Sequence, residues 1–372
     1  MAKNHIYLDY NATTATYPEV SVKMQEILAF PANPSSVHYY GREAKKHLEN
    51  ARKTIADAVS AWPNEIIFMG SGTEANNTAL RCVAPERQLL VSAIEHSSVM
   101  KARNDALILP VDSNGALKLD ALEAALINAD AQLALVSIML ANNETGVIQP
   151  VAEASAICKK YGALLHCDAV QGLGKIPVDF GALGVDMMTI SAHKCGGPTG
   201  AAALVIRRDL PLKPILTGGG QELGRRAGTE NLAAIAGFAV AVEKSASTSH
   251  MASLRTWLNN LENTVEKHGG TVFGKGVARL PNTSCITMPS ASNELQLMDF
   301  DLKGFCVSAG SACSSGRIEV SHVLAAMGAE KSLAASAIRV SAGWATKEDE
   351  IQAFAKAWES SCERLAKSSK SA

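Results

Sequence analysis

The sequence lacks an excess of charge of either sign: across its 372 residues, 35 basic residues stand against 36 acidic ones, for a formal net charge of -1. There is thus no basic field of the kind that sequence-independent binding to nucleic acid requires. It also lacks any apolar run of membrane-spanning length. Its first residues, Met1 to Tyr10, have neither an extended apolar core nor an Arg/Ser-rich amphipathic arm. The expectation is a cytoplasmic protein with no membrane or nucleic-acid partner. No C-x-x-C pair occurs among the eight cysteines at positions 82, 158, 167, 195, 285, 306, 313 and 362. In a chain this long, that argues against a zinc ribbon and a disulfide scaffold, and for reduced thiols that mostly pack in the core. Internal repeats and low-complexity linkers are missing as well.

The composition that remains, 47% hydrophobic, can bury a large core, and the length suggests about two domains. Gly41 to Ser60 has helical periodicity, with Ala44, Leu48, Ala51, Ile55 and Val59 on one face. The period then changes. Glu65–Met69 is a compact apolar run, followed by Gly70-Ser71-Gly72-Thr73-Glu74-Ala75-Asn76-Asn77 and a helical pattern through Arg81. This predicts strand, glycine turn, helix, with an anion site at the helix N-terminus to which Thr73 adds a hydroxyl. The rhythm continues with strands predicted over 88–93, 132–138 and 162–168, and it argues for a mostly parallel sheet covered by helices, an α/β fold. An Ala-rich helix from Asn231 to about Lys244 leads to a Ser/Thr-rich patch at 245–249, read as the domain hinge. Beyond it, strands (Thr283 to Met288, Gly304 to Val307, Ile338 to Ser341) alternate with helices in a smaller α+β unit. Lys367 to Ala372 reads as a frayed tail.

In a parallel sheet, ligands bind at the carboxyl ends of the strands, and there the polar residues collect: Thr73, His96, Asn142, Asn143, Asp168, Gln171, Ser191, His193 and Lys194. Lys194 closes the stretch Thr189-Ile190-Ser191-Ala192-His193-Lys194, where a buried strand leaves the core. Desolvation there favours the neutral amine. A neutral amine beside Ser191 and His193, both able to hydrogen-bond a phosphate, is what a lysine holding pyridoxal phosphate (PLP) needs. The stretch alone also suits a lysine emerging into solvent. Asp168 suits a carboxylate that keeps the pyridine nitrogen protonated, Gln171 a donor to the phenolate oxygen, and His96 a ring that stacks or shuttles a proton. A rival reading takes His96, His166, Asp168 and His193 as metal ligands of a hydrolase, since His166 and Asp168 share a strand face. No His-Glu-x-x-His motif supports it.

Several motifs occur in order from Tyr7 to about Trp344: Tyr7-Leu8-Asp9-Tyr10-Asn11-Ala12-Thr13-Thr14, Gly72-Thr73-Glu74-Ala75-Asn76-Asn77, Glu95-His96, Asn142-Asn143-Glu144-Thr145-Gly146, His166-Cys167-Asp168-Ala169-Val170-Gln171, Ser191-Ala192-His193-Lys194, Arg225-Arg226-Ala227-Gly228-Thr229-Glu230-Asn231, Ser308-Ala309-Gly310-Ser311-Ala312-Cys313-Ser314-Ser315-Gly316 and Ile338-Arg339-Val340-Ser341. Together they resemble a NifS/IscS-type cysteine desulfurase. The resemblance implies a fold-type I PLP enzyme of the class V aminotransferase group. Its large PLP-binding domain (15–248) would carry a mostly parallel seven-stranded sheet. A smaller α+β domain, built from both chain ends (1–14 and 249–372), would carry the persulfide loop. The enzyme would work as a homodimer that converts L-cysteine to L-alanine and a protein persulfide, passed to a sulfur acceptor such as an iron–sulfur scaffold.

The resemblance also implies residue roles. Lys194 would hold PLP and shuttle the Cα proton, Asp168 would hold the pyridinium, His96 would stack and Gln171 would bond the phenolate. Thr73, Ser191 and His193 would hold the phosphate, with Thr229 donated by the other subunit. Asn143 and Arg339 would hold the substrate. Cys313 would be the sulfur-accepting nucleophile, on a mobile loop between Gly310 and Gly316. Cys306, within Phe305-Cys306-Val307, reads as core packing. Three features depart from the family's pattern: Ala309 in place of a common serine, Cys195-Gly196 after the lysine, and Ala15-Thr16 after the Thr-Thr pair. The chain ends soon after a helix predicted over 348–365, without the C-terminal extension of some housekeeping members.

Overall fold

Seven short runs of aliphatic residues, nearly all of them fully buried, form the central sheet of the computed structural model, which describes residues 5–128, 133–247, 249–310 and 321–369. In chain order the described strands are β1 (Ile6–Tyr7), β2 (Ile66–Met69), β3 (Gln88–Ser92), β4 (Leu107–Leu109), β5 (Ala134–Met139), β6 (Leu164–Asp168), β7 (Met187–Ser191), β8 (Ala202–Ile206), β9 (Thr283–Thr287), β10 (Phe305–Cys306) and β11 (Ala337–Ser341). The central sheet has the order β2-β8-β7-β6-β5-β3-β4. Strands β7, β6, β5, β3 and β4 pair in parallel; β8 is antiparallel to both β7 and β2, so it alone runs the other way. The expected mostly parallel, seven-stranded sheet is present, with one reversal that alternation alone did not reveal. Its cause is a short Gly196/Gly197/Gly200 turn, which returns the chain directly beside β7 with no helical crossover.

The side-chain period of two sorts the strands onto two packed faces. Ile66, Phe68, Leu90, Val136, Ile138, Met188 and Ile190 pack on one side with residues of the helices Pro18–Leu28, Tyr39–Ala58, Val151–Tyr161 and Leu232–Ser245. Ile67, Met69, Leu89, Val91, Leu135 and Met187 pack on the other with Ala75, Ala79 and Leu80 of the helix Gly72–Cys82. The helix Tyr39–Ala58 buries Ala44, Leu48, Ala51 and Ile55 as its periodicity predicts. The helix Pro18–Leu28 was not anticipated, although Pro18 at its first turn is a start signal.

Arg52, on the buried side of its helix, ties down the loop that carries Gly218 to Glu230. Its Nη1 and Nη2 each donate at 2.8 Å to Glu222, whose Oε2 also accepts from Phe68 N at 2.9 Å. Glu222 (φ +50°) and Leu223 (φ +59°) sit in the left-handed region, a backbone conformation that this buried ion pair holds in place.

A second core gathers Leu8, Leu254, Leu258, Leu261, Val265, Ile286, Phe300, Ile338, Val340, Phe354 and Trp358. Here β9 pairs antiparallel with β11, and β1 pairs in parallel with β10, so Ile6 and Tyr7 lie beside Phe305 and Cys306. Two expectations need correction. Cys306 is only partly buried, because β10 has a single neighbour, β1, and lies at an edge. The C-terminal helix runs from Glu348 to Ser369, past the predicted end at 365, and no Gly or Pro in 366–369 stops it. The seven cysteines among the described residues are all free, five of them buried. Among the described residues no helix is long and apolar enough to cross a membrane.

Candidate active site

The parallel strands deliver their carboxyl ends to one edge of the sheet, and the polar residues singled out above follow those ends. Lys194 closes a 3-10 turn, Ala192–Lys194, directly after β7. Its Nζ donates to the carbonyl oxygens of Asn11 at 2.7 Å and Ala12 at 2.8 Å. The same N-terminal segment is fixed from below, since Thr14 N donates to His193 O and Thr14 Oγ1 to Lys194 O, both at 2.8 Å. Asn11 is almost fully buried and serves as a junction. Its backbone N donates to Ser341 Oγ (3.0 Å), and its Nδ2 to Thr283 Oγ1 (2.9 Å) and Asn143 O (3.2 Å). No role was assigned to Asn11 from sequence, although it stands inside the Tyr7–Thr14 motif.

Asp168, the last residue of β6, is held at both oxygens. Val170 N donates to Oδ1 at 3.0 Å and Asn76 Nδ2 to Oδ2 at 2.7 Å, which leaves each oxygen with acceptor capacity toward the sheet edge. Asn76 continues the chain of bonds: its Nδ2 also reaches Ser98 Oγ at 2.9 Å, and Ser98 Oγ lies 2.8 Å from His96 Nδ1. Because Ser98 N also donates to that Nδ1, at 3.1 Å, the ring nitrogen is an acceptor and the proton of the neutral imidazole sits on Nε2. Burial, and secondarily Lys194 and His322, lower the His96 pKa against the opposing pull of Asp168. Beneath them Glu95 is fully buried, with Oε1 accepting from Met139 N at 2.6 Å. Burial and then the nearby Asp168 push its carboxyl well above the usual range.

The metal reading is not borne out by the geometry. His166 is locked between neighbouring strands, with Nδ1 2.9 Å from Ser137 Oγ and Nε2 3.0 Å from Thr189 Oγ1, and burial pushes it down to about 3. Both its ligand positions are taken. Among the described residues the one His/Cys/Asp/Glu group close enough to share an ion is His268, Glu359 and Glu363, none of which is in the predicted set.

At the other end of the site the helix Gly72–Cys82 begins, with Ser71 Oγ capping Glu74 N at 3.1 Å. Its first N–H groups, the exposed Thr73 and the buried Ser191 form one neighbourhood: a Cβ on Gly72 would lie 3.8 Å from the Cβ of Ser191 and 3.1 Å from Val170 Cγ2. A glycine is what keeps that floor open. His193, half-buried, meets Thr13 Oγ1 at 3.2 Å through Nδ1, and is pushed down to about 4 by burial and then by Lys194 and Lys175.

Arg339 arrives from the second core on β11. Its Nη2 donates to Asp9 Oδ1 at 2.7 Å and its Nη1 to Asn143 O at 2.9 Å; its buried Nε has no hydrogen-bond partner among the described residues. Asn143 meets Arg339 through its carbonyl, with its side chain half-buried at the end of β5. Gln171 donates from Nε2 to Asn11 O at 3.0 Å and accepts from Lys175 Nζ at Oε1. Thr229 lies exposed on the loop anchored by Arg52, and no hydrogen bond among the described residues joins it to the site. Cys313 and the rest of the predicted carrier loop from Ser311 lie outside the described residues. Sequence reasoning missed Asn11, Asn76, Lys175 and Asp9. Asn11, Asn76 and Asp9 stood in quoted motifs, while Lys175, in a chain segment predicted only to connect β6 and β7, gave no signal.

These residues fit PLP. A carboxylate oriented by two donors, a lysine amine at a strand end, an open floor beside a helix N-terminus and a buried arginine with an unused N–H match its ring nitrogen, aldehyde and phosphate, and the carboxylate of an amino acid. Residues 6–354 match the profile of the family described as Aminotransferase class-V. A cysteine desulfurase IscS of Dictyoglomus turgidum is 40% identical over 368 residues, covering 93% of this chain and 92% of that one. Among solved structures, a NifS-like protein from Rickettsia africae superposes with a TM-score of 0.89 at 38% identity, over 96% of this chain and 99% of that one. SspA in complex with cysteine gives a TM-score of 0.78 at 28% identity, over 90% of this chain and 98% of that one.

Proposed function

Because the chain belongs to the aminotransferase class-V family, whose members use PLP, we propose that it is a PLP-dependent cysteine desulfurase that takes sulfur from L-cysteine, releases L-alanine and loads the sulfur on Cys313. The observation that carries this reading is the meeting of Lys194 and Arg339 on one segment, Asp9–Ala12, from two different cores. An amine that anchors a cofactor and a guanidinium that fits an amino-acid carboxylate are thereby set side by side. The large PLP-binding domain is assigned to 15–248, and the smaller one to 1–14 with 249–372.

When bound, PLP supplies an electron sink that makes the Cα–H of L-cysteine acidic and weakens its C–S bond. Lys194 anchors it and afterwards moves the proton at Cα. Asp168, fixed by Val170 N and Asn76, would hold the pyridine nitrogen, His96, whose Nδ1 accepts from Ser98 N, would stack on the ring, and Gln171 would donate to the phenolate oxygen. Thr73, Ser191 and His193 hold the phosphate at the helix N-terminus, and Thr229 completes the phosphate site of a second copy. Arg339, kept in place by Asp9 and the Asn143 carbonyl, has Nε–H left for the substrate carboxylate, with the Asn143 side chain beside it. Cys313 as thiolate bonds to the substrate sulfur as the bond from that sulfur to Cβ breaks, its electron pair passing to carbon, which is then protonated. The resulting persulfide passes to a sulfur-acceptor protein, such as a scaffold for iron–sulfur clusters, in the cytoplasm.

The test is the visible spectrum of the purified PLP-loaded protein before and after L-cysteine, with alanine and sulfide assayed in the same tube under a reductant. A band that shifts while alanine and sulfide form together supports the reading. A protein that cannot be loaded with PLP, or that forms no alanine from cysteine, overturns it.

A further inference from the structure

Lys175 is buried, and among the described residues its Nζ has no carboxylate partner. Its partners are Oε1 of Gln171, four residues before it, and Oδ1 of Asn11 at 2.9 Å. The backbone is shaped to deliver it. Gly174, directly before it, has φ +78°, and a Cβ there would lie 2.9 Å from the Cβ of Ser245 and 3.0 Å from that of Cys195. With Oε1 occupied by the lysine, Gln171 turns Nε2 toward Asn11 O at 3.0 Å, the same oxygen that receives Lys194 Nζ at 2.7 Å. A flipped amide would set Oε1 against that carbonyl oxygen, acceptor on acceptor, and would lose both bonds. Burial, followed by the charges of Lys194 and Arg339, pushes the Lys175 amine well below the ordinary lysine range. It donates to both oxygens.

We propose that Lys175 is a positioning residue that locks the Gln171 amide with its N–H edge toward the anchoring lysine, so that Gln171 meets the phenolate oxygen of PLP as a donor. This rests on the reading of Gln171 given above. In this role Lys175 acts through Gln171.

The experiment titrates the visible band of the PLP-loaded protein with pH for wild type, Lys175→Met, Gln171→Met and the double variant. A donor on the phenolate favours its more electron-rich, deprotonated state. Gln171→Met is therefore expected to raise the midpoint by about one pH unit, the equivalent of one hydrogen bond. Lys175→Met should raise it by at least half as much, and the double variant should match Gln171→Met alone. The double variant also guards against misfolding, because it leaves no amide oxygen of Gln171 unsatisfied. A Lys175→Met midpoint equal to wild type, beside a shifted Gln171→Met, overturns the proposal. So does a further shift on adding Lys175→Met to Gln171→Met, which would mean that the lysine acts through its own field. If Gln171→Met leaves the midpoint unmoved, the reading of Gln171 falls first and the proposal with it.

Discussion

Removing Arg52 should destabilise the protein far more than neutralising its partner. Arg52→Met leaves the Glu222 carboxylate, whose side chain is only 1% exposed, with Phe68 N as its remaining donor among the described residues. Stranding a buried charge in this way costs about 3–5 kcal/mol. Glu222→Gln is milder. Arg52 keeps Glu49 Oε2 at 3.1 Å, Ile66 O at 3.0 Å and the face of the Phe68 ring at 4.7 Å, so about 1–2 kcal/mol is expected. Replacing both by methionine should recover most of the loss, since a buried ion pair and an apolar pair of similar volume are often near equal. Urea unfolding of the PLP-loaded variants, followed by circular dichroism with a shared slope, gives the differences from the midpoints. If Arg52→Met lies within about 1 kcal/mol of wild type, or is less damaging than Glu222→Gln, the ion pair does not hold the loop and the argument fails.

Cys313→Ser should keep the visible band of bound PLP and lower alanine formation roughly a hundredfold or more, measured with dithiothreitol present; equal turnover would remove Cys313 from the reaction. Asp168→Ala removes a charge that, at about 4 Å and an effective dielectric near 20, is worth roughly 4 kcal/mol to a protonated ring nitrogen, so alanine formation should fall roughly a thousandfold. A loss of less than about tenfold would count against that role. His166, depressed to about 3 by burial, should show no imidazole titration by NMR between pH 8 and pH 5 in the folded protein. The sign follows from linkage: the unfolded chain takes up the proton first, so the stability contributed by this residue is complete above pH 6.5 and is lost as pH falls toward 3. A midpoint near 6.5 would show that the ring is solvated.

The sequence made legible what depends on local pattern. Strands β2, β3, β5, β6 and β7 are aliphatic runs with glycine or polar residues at their carboxyl ends, and a parallel sheet collects those ends on one edge; Asp168 and Lys194 could therefore be named in advance. What stayed hidden depends on pairing across the chain. Asn11 bonds Lys175 from 164 residues away, and Asn76 bonds Asp168 from 92 away, and no spacing rule reaches that far. The reversal of β8 was hidden because buried strands read the same in either direction. Cys306 looked like core because Phe305 and Val307 flank it, yet an edge strand leaves one side open.

The junction at Asn11 also has a consequence in time. Its backbone bond to Ser341 spans 330 residues, so the two halves of the site leave the ribosome far apart. At roughly 5–20 residues per second, the interval is about 15–70 s. The sheet that carries Lys194 can collapse early, but Asp9 and Asn11 must wait for β11 before Arg339 and the lysine are brought together. A nascent chain therefore carries an unfinished site until β11 has been made, and Asp9 and Asn11 are without their β11 partners before then.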